Sequence, residues 1–140
     1  MPVEDNKAVV RRYIELGWSR GDSGVLKECV APDYHRYQPG LPFPVESEND
    51  LEQVIGMYRA GLSDLEVVID RMVAEGDYVA TQVMVRGTHD GELAGVPATG
   101  TRVEITASDV FRMADGQIVE SWHNVDDLGL LRQVGVLPTT

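Results

Sequence analysis

Apolar and polar positions along this chain change period once, near residue 65, and the change divides it into a helical part and a stranded part. In "EDNKAVVRRYIELGWSR", residues 4–20, Val10, Tyr13, Ile14 and Gly17/Trp18 recur at helical spacing, and "GD" stops the run. This spacing predicts an amphipathic helix. A second short helix is expected from Ser23 to about Val30, closed by Pro32, because the residue before a proline is pushed out of the helical region. The next stretch, "PDYHRYQPGLPFP", is rich in proline and aromatics and reads as an irregular segment lying over something else. A third helix is expected from Asn49, which can cap it with Glu52 three residues on. Its apolar face gathers Leu51, Val54, Ile55, Tyr58 and Leu62.

From Leu65 the period is two. "LEVVIDRMVAEGDYVATQVMVRGTH" predicts two strands joined across Glu75-Gly76-Asp77, and the turn-rich "DGELAGVPATGT" leads into a further hairpin. "DDLGLLRQVG" ends the pattern as a short apolar helix stopped by Gly135. No internal repeat or low-complexity block intervenes. Helices first and antiparallel strands afterwards specify an α+β fold, residues 1–140 as a single domain, with helices on one face of a curved sheet.

The last hairpin, "SDVFRMADGQIVESWHN", carries the candidate chemistry. Folding it about Ala114-Asp115-Gly116, a three-residue loop with Gly116 left-handed, sets Met113 against Gln117, Phe111 against Val119, Asp109 against Ser121 and Ala107 against His123. Alternation then places Val103, Ile105, Ala107, Asp109, Phe111, Met113, Val119, Ser121, His123 and Val125 on one face. That face is the apolar one, yet it holds an aspartate, a serine and a histidine. A two-residue turn at Asp115-Gly116 is expected to put Asp109 and His123 on opposite faces instead.

Composition changes the picture only by exclusion. Hydrophobic residues make up 43% and charged residues 25%, ordinary for a soluble globular protein with a sizeable core. The net charge of −11 argues against a nucleic-acid partner, which needs clustered Lys and Arg, and reads as solubility. A single cysteine, Cys29, excludes an internal disulfide and a thiolate metal cluster, and its place beside Val25, Leu26 and Val30 makes it a core residue. The three histidines show no metal-ligand spacing, so no metal is expected. Neither a signal peptide nor a membrane span is evident, so a cytoplasmic protein without a membrane partner is expected.

The order of elements, the "GD" after the first helix, "APDY" after the second, "GVPATGT" before the long strand and "FRMADGQIVESWHNVDDLGLLRQVG" resemble the SnoaL-like polyketide cyclases of the nuclear transport factor 2-like superfamily. That superfamily also holds ketosteroid isomerase and limonene epoxide hydrolase. The resemblance spans essentially the whole chain. It implies a cone-shaped, curved antiparallel sheet wrapped around the N-terminal helices and enclosing an apolar cavity, and a homodimer through the outer sheet face. It further implies acid–base catalysis of an intramolecular aldol ring closure on a hydrophobic, carbonyl-rich small molecule, with no cofactor. In those cyclases a carboxylate on the last strand does the proton transfer, aided by a polar residue on the neighbouring strand. Here those places fall on His123 and Asp109, so the two polar types are exchanged.

In that register His123 and Asp109 are diagonal neighbours on adjacent strands, near enough for their side chains to meet. The carboxylate raises the imidazole's pKa and burial lowers it, which suits a general base near neutrality. The substrate-binding candidates are Tyr13, Tyr37, Phe111, Ser121, Met57 and Met84, with Tyr13 or Tyr37 as donor to an enolate oxygen. His35 and His89 read as solvated loop histidines, and Trp122 as a dimer or packing contact on the outer face. Asp126 is open between the cavity mouth and a helix cap, and Arg86 between pocket and surface. Epoxide hydrolysis is disfavoured because Ala107, Asp109 and His123 do not supply an Asp-Arg-Asp set. A related cofactor-free hydroxylase or isomerase, and a non-catalytic ligand-binding or dimerisation module, are the alternatives.

Overall fold

The change of period in the sequence becomes a change of layer. A computed structural model describes residues 2–138. In chain order it contains α1 (Val3–Arg12), a π-helical turn (Tyr13–Trp18), α2 (Ser23–Cys29), β1 (Val30–Tyr37), α3 (Glu48–Gly61), β2 (Glu66–Glu75), β3 (Tyr78–Thr88), β4 (Arg102–Ala114), β5 (Gln117–Val125) and α4 (Asp127–Gln133). The five strands form one curved, unclosed sheet in the order β1-β5-β4-β3-β2, so the α+β class stands. Residues of β4 alternate strictly between buried and exposed from Arg102 to Phe111, and the buried set packs with Val10, Tyr13, Leu51, Val54 and Ile55 of the helices in one core.

Three local expectations are corrected. The segment read as irregular, "PDYHRY", lies within an edge strand: β1 runs parallel to β5, so the sheet is mixed rather than wholly antiparallel. From Val30 to His35 β1 advances five residues while β5 advances only from Ile118 to Glu120, and the slack holds Pro32, which an edge strand tolerates. The third helix starts earlier than expected because Ser47, not Asn49, caps it, its side chain accepting from Asp50 N at 3.0 Å. The first helix does not stay α-helical. After Arg12 it widens, and Ser19 N donates to Ile14 O at 3.2 Å, five residues back.

As expected, Gly135 adopts a left-handed conformation (φ 86°) just beyond α4, and Cys29 is buried in the core, where burial raises its thiol pKa. Among the described residues no helix is long and apolar enough to cross a membrane.

Candidate active site

The hairpin closes differently from the expected register, and the difference brings the two polar residues together. Ala114 pairs with Gln117, so the turn has two residues, and both take left-handed angles, Asp115 at φ 51° and Gly116 at φ 77°. This is the type I′ geometry that matches the twist of paired strands. Met113 then faces Ile118, but Arg112 faces Glu120, so Val119 is an extra residue on β5. That bulge restores the parity which a two-residue turn alone disturbs. Ile118, not Val119, enters the core, Phe111 faces Ser121, and Asp109 faces His123 directly rather than diagonally. The side chains meet, with His123 Nδ1 and Asp109 Oδ1 2.5 Å apart and both residues buried. A carboxylate only accepts, so Nδ1 carries the proton and the Nε2 lone pair is free. Among the described residues Nε2 has no hydrogen-bond partner, and it is not a sealed, unsatisfied atom. It belongs to a residue that lines the cavity.

That cavity lies between the sheet and the helices, its walls mostly aliphatic, with Leu62, Val103, Ile105 and Leu130 among them. The cavity is narrow, with about 40 Å³ open to the centre of a water molecule. It is a slot. Leu93 closes one side from the 89–101 loop, and that loop is firmly anchored. Gly91 permits the approach, since a Cβ there would fall 2.0 Å from Ala60 O. His89 Nε2 donates to Val96 O at 3.2 Å and Nδ1 lies 2.9 Å from Thr99 Oγ1. His89 is therefore fully buried, correcting its reading as a solvated histidine.

Beside the pair, on the strand next to β5, stands a polar group that sequence reasoning missed. Alternation along β1 turns Tyr34 and Arg36 inward and His35 and Tyr37 outward. Arg36 is buried, with Nη1 3.4 Å from Tyr34 Oη and 3.5 Å from Tyr13 Oη, Nε donating to Gln38 Oε1 at 2.8 Å, and its guanidinium 5.3 Å from the Trp18 ring centre. The π-helical turn matters here, because it aligns residues five apart, and Trp18 Nε1 donates to Tyr13 Oη at 2.7 Å. Both partners of the Tyr13 oxygen are N–H donors, so its own proton has no acceptor among the described residues. Burial first, and Tyr34 second, hold the Tyr13 pKa far above the ordinary value, keeping it a donor. Burial also opposes the Arg36 charge, but Tyr34, Tyr13 and Asp109 outweigh it and keep the group cationic.

For His123 burial is the largest influence, Arg36 the second, and both lower its pKa; Asp109 offsets them only in part. The imidazole is thus neutral at neutral pH, with the balance expected from sequence tipped downward.

Of the six substrate-binding candidates, only Tyr13 lines the cavity. Phe111 is fully buried behind it, its ring edge-on to Tyr13 at 5.6 Å, and Ser121 is buried against the Tyr34 hydroxyl. Tyr37 and Met84 project from the outer face: Tyr37 stacks on Trp122 at 5.6 Å, and Met84 follows inward Val83 by one residue. Met57 is 41% exposed on α3. His35 is exposed as expected, though on a strand rather than a loop, and Trp122 does lie outside, 37% exposed. Asp126 caps α4, accepting from Gly129 N at 2.8 Å, and Arg86 pairs with Glu66 at 3.1 Å on the outer face. Among the described residues no three His, Cys, Asp or Glu side chains converge as a metal site.

Comparison with known proteins agrees with this fold. The family model described as SnoaL-like polyketide cyclase matches residues 7–134. Nogalonic acid methyl ester cyclase of Streptomyces nogalater is 34% identical over 128 residues, covering 84% of this chain and 89% of that one. A protein of Jannaschia sp. CCS1, assigned as a SnoaL-like polyketide cyclase, superposes with a TM-score of 0.88 at 28% identity, covering 99% of this chain and 97% of that one. AclR of Streptomyces galilaeus, assigned as a hydroxylase, superposes with a TM-score of 0.86 at 29% identity over 99% of this chain and 86% of its own.

Proposed function

Because the chain belongs to the SnoaL-like polyketide cyclase family, we propose that its cavity catalyses proton transfer on an apolar, carbonyl-bearing small molecule, without a cofactor, as in an aldol-type ring closure. The observation that carries this reading is the free Nε2 of His123, presented to the cavity by an imidazole whose other nitrogen Asp109 fixes.

In this mechanism His123 Nε2 removes a proton from a carbon next to a carbonyl. Asp109 holds the tautomer and stabilises the imidazolium that forms. The electron pair moves onto the carbonyl oxygen, where the Tyr13 O–H donates a hydrogen bond and the Arg36 charge lies close behind. The nucleophilic carbon then attacks a second carbonyl of the same molecule, and the resulting alkoxide takes back the proton from His123. Atoms and charge balance within one substrate. The exclusion of water by Leu93, Leu130 and the aliphatic walls protects the enolate from premature protonation.

The test is deuterium wash-in. The enzyme in heavy water is mixed with an aryl ketone bearing acidic α-hydrogens, and exchange is followed by NMR. Wild type is expected to accelerate exchange and His123→Ala to abolish the acceleration. Binding of the ketone with no exchange above background makes the chain a ligand-binding module instead.

A further inference from the structure

Among the described residues Arg36 is the one Lys or Arg of the cavity wall, and its charge has no carboxylate in contact. It is 5% exposed, and everything within hydrogen-bond reach is neutral: Gln38, Tyr34 and Tyr13, with the Trp18 ring alongside. Among the described residues no carboxylate approaches it within 4.0 Å. The contrast with the surface is sharp. Lys27, Arg12, Arg86, Arg102 and Arg112 each sit against a carboxylate in water, where pairing contributes little. With 23 acidic residues to 12 basic ones, the chain has carboxylates to spare, yet none is placed against the buried guanidinium. Asp109, on the same cavity wall, is committed to His123. Asp127 approaches from the end of α4, within range of His123.

The unpaired guanidinium also has an open edge. Nη2 makes no hydrogen bond among the described residues and is not a sealed, unsatisfied atom, and Arg36 lines the cavity. The side chain is held still: Gln38 receives its Nε and is itself fixed by donating from Nε2 to Tyr58 Oη at 3.1 Å, while the Val45 carbonyl accepts from the Arg36 backbone at 3.0 Å. A rigid, desolvated cation with an open donor edge is a preorganised anion receptor.

We propose that the ligand of this cavity enters as a carboxylate, its charge paired with the open edge of Arg36 and its apolar body lying against Leu93, Val103, Ile105 and Leu130. The proposal rests on the reading of the cavity as the substrate site. It has a consequence for the base. Arg36 holds the His123 pKa down, so a carboxylate docked on Arg36 offsets that influence and strengthens His123 as a base only when ligand is present.

Calorimetry of the full chain with 2-naphthoate and with its neutral methyl ester tests the pairing. Wild type is expected to bind the acid at least about 10-fold more tightly than the ester, as a charge-assisted pair requires. Arg36→Met is expected to erase the preference, and Arg36→Lys to keep part of it. In parallel, saturating naphthoate is expected to raise the His123 pKa read by NMR in the wild type, which decides the matter even where Arg36→Met does not fold. Equal or tighter binding of the ester, a preference that survives in Arg36→Met, or no binding of the acid overturns the proposal. Preference without deuterium wash-in leaves a carboxylate receptor and refutes only the catalytic reading. Wash-in without preference refutes only the carboxylate.

Discussion

Replacing Asp109 by Asn keeps the shape of the hairpin and removes one charge, which isolates what the carboxylate does for His123. In the parent, Nδ1–H donates to Asp109 Oδ1 at 2.5 Å inside a buried site, a charge-assisted bond of the class worth about 1.5–3 kcal/mol. Asparagine retains a neutral bond through its carbonyl, so the expected loss of stability is only about 1 kcal/mol. The effect on the base is larger. Burial and Arg36 depress the His123 pKa and Asp109, with a smaller contribution from Asp127, opposes them, so Asp109→Asn is expected to move that pKa further down. The amide also presents an NH₂ that can face the ring and select the tautomer with Nε2 protonated, which has no lone pair for the substrate. Together these predict a fall in exchange rate of about 10²- to 10⁴-fold with folding retained. The assay is wash-in rate beside a melting curve and the His123 titration. A variant within about threefold of the parent rate, with His123 titrating unchanged, refutes the role of Asp109.

Trp18→Phe removes the Nε1–H that polarises Tyr13, and about a 10-fold drop in wash-in with melting little changed is expected; an unchanged rate refutes that role. Glu48 is pushed up to about 7 by burial first and by Glu52 second. Its folded pKa thus lies above the unfolded value of 4.5, so the folded state holds a proton the unfolded chain has lost, and stability falls as pH rises from 4.5 towards 7. Glu48→Gln should accordingly raise the melting temperature at about pH 8 and change it little at about pH 4.5; equal effects at both contradict the assignment. Tyr37, Trp122 and Tyr78 form an aromatic row on the outer sheet face, and we propose that two copies of the chain pair there. Sedimentation should give twice the 15.4 kDa chain mass, reduced to one chain by Trp122→Glu, whereas a wild-type monomer refutes the pairing.

Much of the fold was legible because its signals are periodic. The strict alternation of β4 and the helical spacing of Val10, Tyr13 and Ile14 each follow from which face must be buried. What escaped was parity. One residue decides whether a strand position faces in or out, and that residue was hidden three times. Val119 enters as a bulge that no local pattern announces, so Asp109 and His123 were assigned to one face through the wrong pairing. In "DYHRY" the alternation of Tyr34 and Arg36 against His35 and Tyr37 is present, but prolines on either side mask a strand, so the sequence points to Tyr37 and not to Arg36. Met84 sits between Val83 and Val85, where an unbroken apolar run gives no parity, and only the pairing of Val83 with Ala107 turns it outward. The π-helical turn left one trace, the presence of both Gly17 and Trp18 at the inner position after Tyr13.

The central claim is that neutral His123, held by Asp109, is the base. It is tested most directly by the pH dependence of wild-type deuterium wash-in. The rate is expected to rise with pH through a single ionisation below the ordinary histidine value of 6.5, coincident with the His123 titration by NMR, and to stay level through neutrality. A rate that falls as pH rises through that range, or one that ignores the His123 titration altogether, contradicts it.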